Sequence, residues 1–302
     1  MLAVIPNRRF WYLISGTASA VSAAVLLAWG LHPGIDFTGG SLLEMRFSGE
    51  RPPAPKLRQI VQSVTGEVSL SVQAAGAQGV VIKFPHVSEL VHQRLVAAIT
   101  QQHRDATEQR FDAIGPTIGN ELVKKTWWAV GLAVIGMITY ISLAFRNVRR
   151  PVPSWQYGSI AIVALLHDML ITSGVMAALG HWYGLEVNAP FVAAMLTVFG
   201  YSVNDTIVVF DRIRDNLLHH PSSNFAELVD ASIRQTLARS TNTSLATLLS
   251  LLSILAFGGD TIRDFALALI IGIVVGTYSS IFIASPLLVD VQRLRARVSS
   301  RR

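Results

Sequence analysis

FALALIIGIVVGTYSSIFIASPLLV, residues 265–289, contains no charged side chain and is mainly apolar. A helix needs about 20 such residues to cross the hydrocarbon core of a bilayer, so this stretch predicts a transmembrane helix. Other apolar stretches long enough to span, the last two of them weaker because they contain polar residues, are Phe10 to Leu31, Thr126 to Phe145, Phe191 to Phe210, Ser159 to Leu179 and Thr241 to Phe257. The sequence therefore predicts an α-helical membrane protein with six transmembrane helices.

The overall composition agrees with a membrane protein. Of the 302 residues, 51% are hydrophobic and only 15% are charged, whereas soluble domains carry about 25% charged residues. The formal net charge of +6 could indicate a nucleic-acid partner, but the basic residues lie mostly at the ends of the predicted helices. We therefore expect no nucleic-acid partner. The chain has no Cys, which excludes disulfides and thiolate metal sites.

The basic residues also predict the orientation by the positive-inside rule. In the short loops 181–188 and 258–264 the only Lys or Arg is Arg263, so the side with the many basic residues is the cytoplasm. We expect a multi-pass membrane protein with both termini in the cytoplasm: residues 1–31 form the N-terminus and an uncleaved first helix, and residues 291–302 form a basic tail. The basic residues assigned to the cytoplasmic side are Arg8, Arg9, Arg146, Arg149, Arg150, Arg212, Arg214, Arg234, Arg239, Arg293, Arg295, Arg297, Arg301 and Arg302.

Residues 32–125 have the pattern of a small globular domain, which the orientation places outside the cytoplasm. Alternating apolar residues predict strands, and helical spacing of apolar residues predicts the helices between them. The strands are expected near 43–47, 68–72, 80–84 and 109–114, and the helices near 57–64 and 91–99. The order β-α-β-β-α-β is that of the ferredoxin-like fold. Two roles stay open for this domain: a spacer or docking domain, or a domain that touches an exported substrate.

Residues 126–290 hold helices 2–6 and include an amphipathic cytoplasmic segment at 211–238. Asn224 followed by Glu227 resembles a capping box, and the apolar residues that follow share one helical face. We expect this helix to lie along the membrane surface, either packing against it or forming a site for a partner.

Asp205 is the best candidate for chemistry inside the membrane. An ionisable residue within a span costs about 2.5 to 3.5 kcal/mol on insertion scales, so it usually faces the bundle interior and marks an ion or substrate path. Asp205 lies beside Asn204 near the cytoplasmic end of its span, and Arg239 begins the next span at a similar depth. Desolvation favours the protonated carboxyl, whereas an approaching guanidinium favours the carboxylate, so this pair could couple proton binding to helix movement. The alternative is a static buried ion pair that holds the helices together.

Asp168, preceded by His167, is a second buried acid, about midway along the third span. The sequence leaves open whether it belongs to a proton relay or is a hydrogen-bonded packing group. On the last span, Gly272 and Gly276 form a stripe of small residues, which predicts close helix packing.

Several enzymatic motifs are absent from the sequence. There is no Walker A loop, no Rossmann glycine fingerprint, no His-Glu-x-x-His and no nucleophile elbow. We therefore expect a protein that is not an enzyme and that holds no cofactor and no metal. Any work that it does must draw on the membrane gradient or on a partner.

Four segments in order along the chain carry a family resemblance. They are GIDFTGG at 34–40, which includes Gly34, Asp36, Gly39 and Gly40; GYSVNDTIVVFDR at 200–212; RSTNTS at 239–244; and a last one running from FGG at 257–259 through GTYSSIFIASP at 276–286. In these segments the chain resembles the SecF family, membrane subunits of the bacterial SecDF protein-export complex in the RND superfamily.

This resemblance implies a subunit that pairs with SecD and associates with the SecYEG channel. It also implies that proton flow helps to pull the unfolded polypeptide outward after the SecA ATPase has pushed it in, and that Asp205 and Arg239 belong to the proton path. The family's path also uses an acid on SecD, so this chain is expected to hold part of the relay.

Two other functions remain as alternatives from the sequence. The chain could be a purely structural subunit of the channel assembly, with its buried charges serving packing alone. It could also be half of a small-molecule RND efflux pump, although its outer domain is single and small.

Overall fold

The computed structural model describes residues 4–145, 152–219, 224–258 and 260–299. Arg146, Arg149, Arg150, Arg301 and Arg302, which were used to predict the orientation, lie outside these ranges, as does Gly259 of the last family segment. The chain divides into two compact units. The α+β unit is Pro33–Trp127, and the helical unit combines Met1–His32 with Trp128–Arg302.

The α+β unit contains a four-stranded antiparallel sheet in the order β2-β3-β1-β4 with two helices. The chain enters it after α1, Arg8–Trp29, and runs through α2 (Ile35–Thr38), β1 (Gly40–Phe47), α3 (Ala54–Thr65), β2 (Ser71–Ala75), β3 (Gly79–Phe84), α4 (Glu89–Gln102) and β4 (Ala106–Ile114). Leu43, Met45 and Phe47 are completely buried in its core, as their alternation predicts. The ferredoxin-like prediction is confirmed.

Two local details of the α+β unit differ from the prediction. The short helix α2 was not predicted, because four residues are too few to show an apolar period. The second strand begins at Ser71 rather than at Val68, which is 78% exposed. The amide of Leu70 bonds the carbonyl of Val68 in a turn, so these residues cannot pair with β3.

The other described residues are mostly helical. The helices are α5 (Pro116–Ala144), α6 (Ser154–Tyr183), α7 (Ala189–His219), α8 (Phe225–Phe257), α9 (Asp260–Ser279) and α10 (Ser285–Ser299), with the π-helical segment Ser280–Ala284 joining the last two. In the described part of the chain, six helices are long and apolar enough to cross a membrane, counting α9, the π-helical segment and α10 as one. This confirms the predicted number of spans.

The amphipathic segment predicted at 211–238 is not a separate helix. Its first part is the end of α7, and its last part belongs to the same helix, α8, as the following span. The physical reason is that Phe225–Phe257 contains no Gly or Pro that would interrupt the backbone hydrogen bonds. At 33 residues, α8 is longer than the roughly 20 residues that a bilayer requires. Asn224 caps α8, since its side-chain oxygen accepts from the amide of Ala226 at 3.1 Å.

The N-terminal segment is tied to the ends of two helices. The Asp230 carboxylate on α8 accepts hydrogen bonds from the amides of Val4 and Ile5 at 3.0 and 3.2 Å. Asp290 on α10 pairs with Arg8 at 2.9 Å and accepts from the Tyr12 hydroxyl at 3.0 Å. These contacts hold the start of the chain against the same end of the helical unit as α10.

Candidate functional site: a buried polar layer between helices

Asp205 lies on the buried face of α7, with only 3% of its surface exposed. The hydroxyls of Ser244 on α8 and Thr277 on α9 lie beside its carboxyl group and are 2.6 Å apart. The Tyr201 hydroxyl donates to the Ser244 hydroxyl at 3.3 Å. The Oδ2 atom of Asp205 is buried and has no hydrogen-bond partner among the described residues.

The neighbouring Asn204 faces the other way. Successive residues of a helix point about 100° apart, so two adjacent polar residues can differ strongly in exposure. Asn204 is exposed while Asp205 is buried. The structure therefore separates two candidates that are adjacent in the sequence: Asp205 lines the interior and Asn204 the outer surface of the helical unit.

Arg239 does not contact Asp205 in this structure. It is exposed on α8, and within the described part of the chain no ion pair joins it to Asp205. It lines a cavity of about 370 Å³ together with the neighbouring residues Val208, Asp211, Arg212, Arg214, Asp215, Leu218 and Thr236. The following residue, Ser240, is buried, and its hydroxyl has no partner in the described ranges.

Asp168 is a buried acceptor that links three helices. It lies on α6 with none of its surface exposed. Its Oδ2 atom accepts from the Ser202 hydroxyl of α7 at 2.5 Å and from the Ser279 hydroxyl of α9 at 2.8 Å. Its Oδ1 atom lies 2.9 Å from Nδ1 of His167. The predicted buried acid is thus a fully hydrogen-bonded group.

Glycines let α7 and α9 approach closely enough for these contacts. A Cβ atom at Gly272 would overlap the side chain of Val198, and one at Gly276 would lie 3.0 Å from Cβ of Ser202. Because Gly276 has no side chain, α7 can approach α9 closely, and Ser202 and Ser279 both reach the Asp168 carboxylate.

The glycines of the GIDFTGG segment have a different role. Gly34 precedes the single turn α2, and Gly39 and Gly40 follow it with φ of 73° and 138°. A side chain at Gly39 would lie 3.0 Å from the backbone of Pro116, and one at Gly40 would lie 3.1 Å from the carbonyl oxygen of Phe84. Positive φ and close backbone approach both require glycine at these two positions. The segment forms a tight turn that packs closely against the backbone at Phe84 and Pro116. Asp36 lies within α2, the helical turn of this segment.

The sequence analysis did not single out the hydroxyl-bearing partners of the acids. Hydroxyl side chains inside apolar helices often bond across helices, which was a usable signal. These residues are Tyr201, Ser202, Ser244, Thr277 and Ser279. Among the described residues no group of three or more His, Cys, Asp or Glu could hold a metal ion.

An exposed polar face runs along α7 and α8. We call it the α7–α8 polar face; its exposed residues are Thr197, Gly200, Asn204 and Asp211 on α7 and Arg239, Asn242 and Thr243 on α8. Their spacings of three, four and seven residues place them on one side of each helix. By contrast, the exposed residues of α5 are mainly large and apolar, such as Trp128, Leu132 and Ile135. Hydrocarbon chains cannot hydrogen-bond to such a polar face, so another protein or water must cover it.

The fold and the buried layer define a class: a multi-pass helical membrane protein with an inserted ferredoxin-like domain and acids buried within its spans. Comparison with known proteins gives the family. Residues 95–294 match the model of the protein export membrane protein SecD/SecF C-terminal family, and residues 27–50 match the SecD/SecF GG motif. The chain belongs to the SecF family and is a subunit of Sec protein export.

Individual relatives agree with this assignment. The chain is 40% identical to the protein translocase subunit SecF of Thermobaculum terrenum, over 96% of this chain and 94% of that protein. It is 36% identical to the SecDF of Brucella abortus over 95% of this chain and 37% of that protein. The crystal structure of SecDF from Thermus thermophilus, described as a translocon-associated membrane protein, superposes with a TM-score of 0.84 and 35% identity. That match covers 97% of this chain and 39% of the SecDF chain.

Proposed function

We propose that this chain couples proton movement across the bacterial cytoplasmic membrane to the export of unfolded polypeptide, acting with SecD, the SecYEG channel and the SecA ATPase. Membership of the SecF family supports the role in protein export. One observation carries the coupling: Asp205 is a buried acid inside an apolar helix bundle, and one of its oxygens has no partner in the described part of the chain.

The Asp205 carboxyl group acts as the proton carrier. A buried carboxylate without full hydrogen bonding is costly, so it binds a proton on Oδ2 and becomes neutral. One of the Ser244 and Thr277 hydroxyls donates to the other, so one hydroxyl proton of the pair is available to the carboxylate and stabilises the charged form after the proton leaves. The neutral form avoids a buried charge, so the carboxyl group can exist in either state, as a carrier requires.

Arg239 provides the switch between these states. In the observed arrangement the guanidinium is exposed beside a cavity at the end of α7 and α8, and Asp205 does not pair with it. A movement of α8 relative to α7 that brings the guanidinium to Asp205 would favour the carboxylate and expel the proton. Proton release would then accompany one helix arrangement, and proton uptake the other.

SecD covers the α7–α8 polar face. The relatives named SecDF, of which this chain covers 37% and 39%, support an association of SecF with SecD. The polar face is poorly suited to lipid, and it contains Arg239 on α8 and Asn204, the neighbour of Asp205, on α7. With SecD on this face, an acid of SecD could complete the relay.

The orientation proposed from the basic residues places both termini in the cytoplasm. The α+β unit then lies outside the cytoplasm, where it can meet the polypeptide that emerges from the channel. In this arrangement Arg239 lies towards the cytoplasmic end of its span, and protons taken up from outside leave on that side.

The experiment follows signal-peptide processing of a pulse-labelled secreted protein in cells whose only copy carries Asp205→Asn. Asn keeps the shape of the side chain but cannot exchange a proton, so we expect processing to slow several-fold while the variant and SecD accumulate normally. Glu227→Gln, the corresponding acid-to-amide substitution at an exposed position in the first turn of α8 and outside the Arg239 cavity, is the control and should process normally.

Three outcomes would contradict the proposal. Normal processing at normal protein levels would exclude a relay through Asp205. Loss of the variant or of its assembly with SecD would instead favour the purely structural subunit, in which the buried acid serves packing. Sensitivity to toxic compounds with normal secretion after deletion of the chain would favour an efflux pump.

A further inference from the structure

One oxygen of the Asp168 carboxyl group, Oδ2, accepts two hydrogen bonds. Its Oδ2 atom accepts the hydroxyl protons of Ser202 and Ser279, at 2.5 and 2.8 Å. An ionised carboxylate only accepts hydrogen bonds, and two donated hydroxyls suit that form. The Oδ1 atom of Asp168 faces a single partner, Nδ1 of His167.

This contact holds the His167 ring in its orientation. When Asp168 is a carboxylate, its Oδ1 atom only accepts, and in that form the Nδ1 atom 2.9 Å away carries the ring proton and donates it. The other ring nitrogen, Nε2, is buried and has no partner among the described residues, and the side chain is only 9% exposed. In the neutral ring, Nε2 is an acceptor with a free lone pair.

A proton added at Nε2 makes the His167 ring positively charged, and the neighbouring Asp168 carboxylate balances that charge. The lone pair of Nε2 forms an N–H bond, the ring becomes an imidazolium, and the Asp168 carboxylate lies beside it at 2.9 Å. Without Asp168 the same cation would be buried and uncompensated. Histidine is also the side chain that changes charge between about pH 5 and 8.

The pair is linked to the Asp205 site through shared helices. Ser202, which donates to Asp168, precedes Asp205 by three residues and so lies on the same side of α7. Ser279, its other donor, lies on α9 two residues after Thr277, which is beside Asp205. A shift of α7 or α9 that changes one site therefore changes the hydrogen bonds of the other.

We propose that His167 and Asp168 form a second proton-binding site of the export cycle, in which Nε2 of His167 binds and releases the proton and Asp168 positions the ring and balances its charge. This inference rests on the proposed proton-coupled function. Release breaks the same N–H bond and returns the ring to its neutral form, with Nδ1 still donating to Asp168.

Three other titratable groups on the helices packed around this pair have neighbours of their own. Asp205 on α7 has its own hydroxyl neighbours. On α9 the Tyr278 hydroxyl donates to the backbone oxygen of Trp11, and on α1 the Tyr12 hydroxyl donates to Asp290. Within the described ranges, Asp168 is the charged group in hydrogen-bonding contact with His167.

The test follows the protonation of His167 directly. The full-length protein, labelled with ¹⁵N-histidine and reconstituted with SecD in lipid nanodiscs, is examined by solid-state NMR from about pH 5 to about pH 9. The spectrum of His167→Gln identifies the His167 signals by difference. We expect a neutral ring with the proton on Nδ1 at high pH, and an imidazolium as the pH falls. Asp168→Asn should reduce the imidazolium fraction at about pH 6 by tenfold or more, because the balancing charge is lost.

A functional readout connects the titration to export. The rate of proton-driven export into inverted membrane vesicles is measured against pH for wild type, His167→Gln and the control His219→Gln, which changes a largely exposed histidine at the end of α7. We expect His167→Gln to flatten the pH profile and His219→Gln to leave it unchanged. A similar flattening with His219→Gln would overturn the assignment to His167.

These experiments test the His167 site separately from the proposed Asp205 relay. A His167 ring that keeps one protonation state over the whole range, or an imidazolium that Asp168→Asn does not reduce, would overturn it. A ring that titrates while the export profile of His167→Gln matches the wild type would also overturn it. If Asp205→Asn exports normally, the Asp205 relay fails, and a flattened profile for His167→Gln would still support the second site.

Discussion

At Gly272, one hydrogen atom in place of a methyl group allows two transmembrane helices to pack. An added Cβ atom would overlap the side chain of Val198, which is β-branched and therefore stiff. Nearby, Gly276 allows Ser202 to reach Asp168. Single atoms at these positions thus decide whether the buried polar layer can form.

The prediction at this scale concerns Gly272→Ala. We expect it to destabilise the protein by about 1–3 kcal/mol, the usual cost of overpacking a close-packed interior. The measurement is thermal unfolding of the purified full-length protein in detergent. Gly136→Ala is the matched control, since a Cβ atom there meets nothing within 4 Å. Equal stability of the two variants would show that α7 and α9 can separate at low cost.

At the scale of elements, α4 is joined to β4 by a histidine bridge. The His92 ring is nearly buried, with Nδ1 3.1 Å from Glu89 on its own helix and Nε2 3.0 Å from Glu108 on β4. The ring stacks on Phe111, with ring centres 3.7 Å apart. The hydrogen bond from His92 holds the pKa of Glu89 below its usual value.

This bridge predicts a pH dependence for the α4–β4 joint. A carboxyl group whose pKa is lowered in the folded state contributes stability above its unfolded pKa, and this stability is lost as the pH falls through the folded pKa. We expect Glu89→Gln to speed hydrogen exchange in α4 and β4 of the full-length protein at neutral pH, and the difference from wild type to shrink towards acidic pH. Glu50→Gln, at an exposed position of the same unit, should show no such difference. A difference that grows with acidity would contradict this account.

At the scale of the whole molecule, the surface of the helical unit is uneven. Few residues of α5 are buried, and those exposed are mainly apolar, as lipid requires. The α7–α8 polar face has the opposite character, with exposed amide, hydroxyl and charged groups. A helical unit with two such different surfaces is suited to lipid on one side and to a partner protein on another.

The corresponding prediction concerns Asn204→Leu. Polar contacts between transmembrane helices are worth about 0.6–2 kcal/mol, so we expect association with SecD to weaken by roughly threefold to thirtyfold. Affinity between the two proteins in nanodiscs is the measurement. Thr139→Leu replaces an exposed polar residue of α5 and is the control that should leave association unchanged. If Asn204→Leu binds SecD as wild type does, the polar face is covered by something else.

Much of the architecture follows from local pattern. The apolar runs determine the spans because each must be long enough to cross the bilayer, and the alternation around Leu43, Met45 and Phe47 determines a strand with one buried face. The same reasoning identifies Asp205 and Asp168 as costly acids inside spans. Periodicity also predicts the apolar face of 225–233, although it does not show that this helix continues without a break into the next span.

Tertiary structure decides what surrounds those acids. The sequence by itself determined the spans, the ferredoxin-like order and the presence of buried acids, because each depends on residues close together along the chain. Only the packing of α6, α7, α8 and α9 decided that Asp168 is saturated by serine hydroxyls while Asp205 keeps one oxygen without a partner among the described residues. It also decided that Arg239 lies at the surface. These facts depend on which helix faces which, and that is set by how residues far apart in the chain, such as Gly272 and Val198, fit together across the helices.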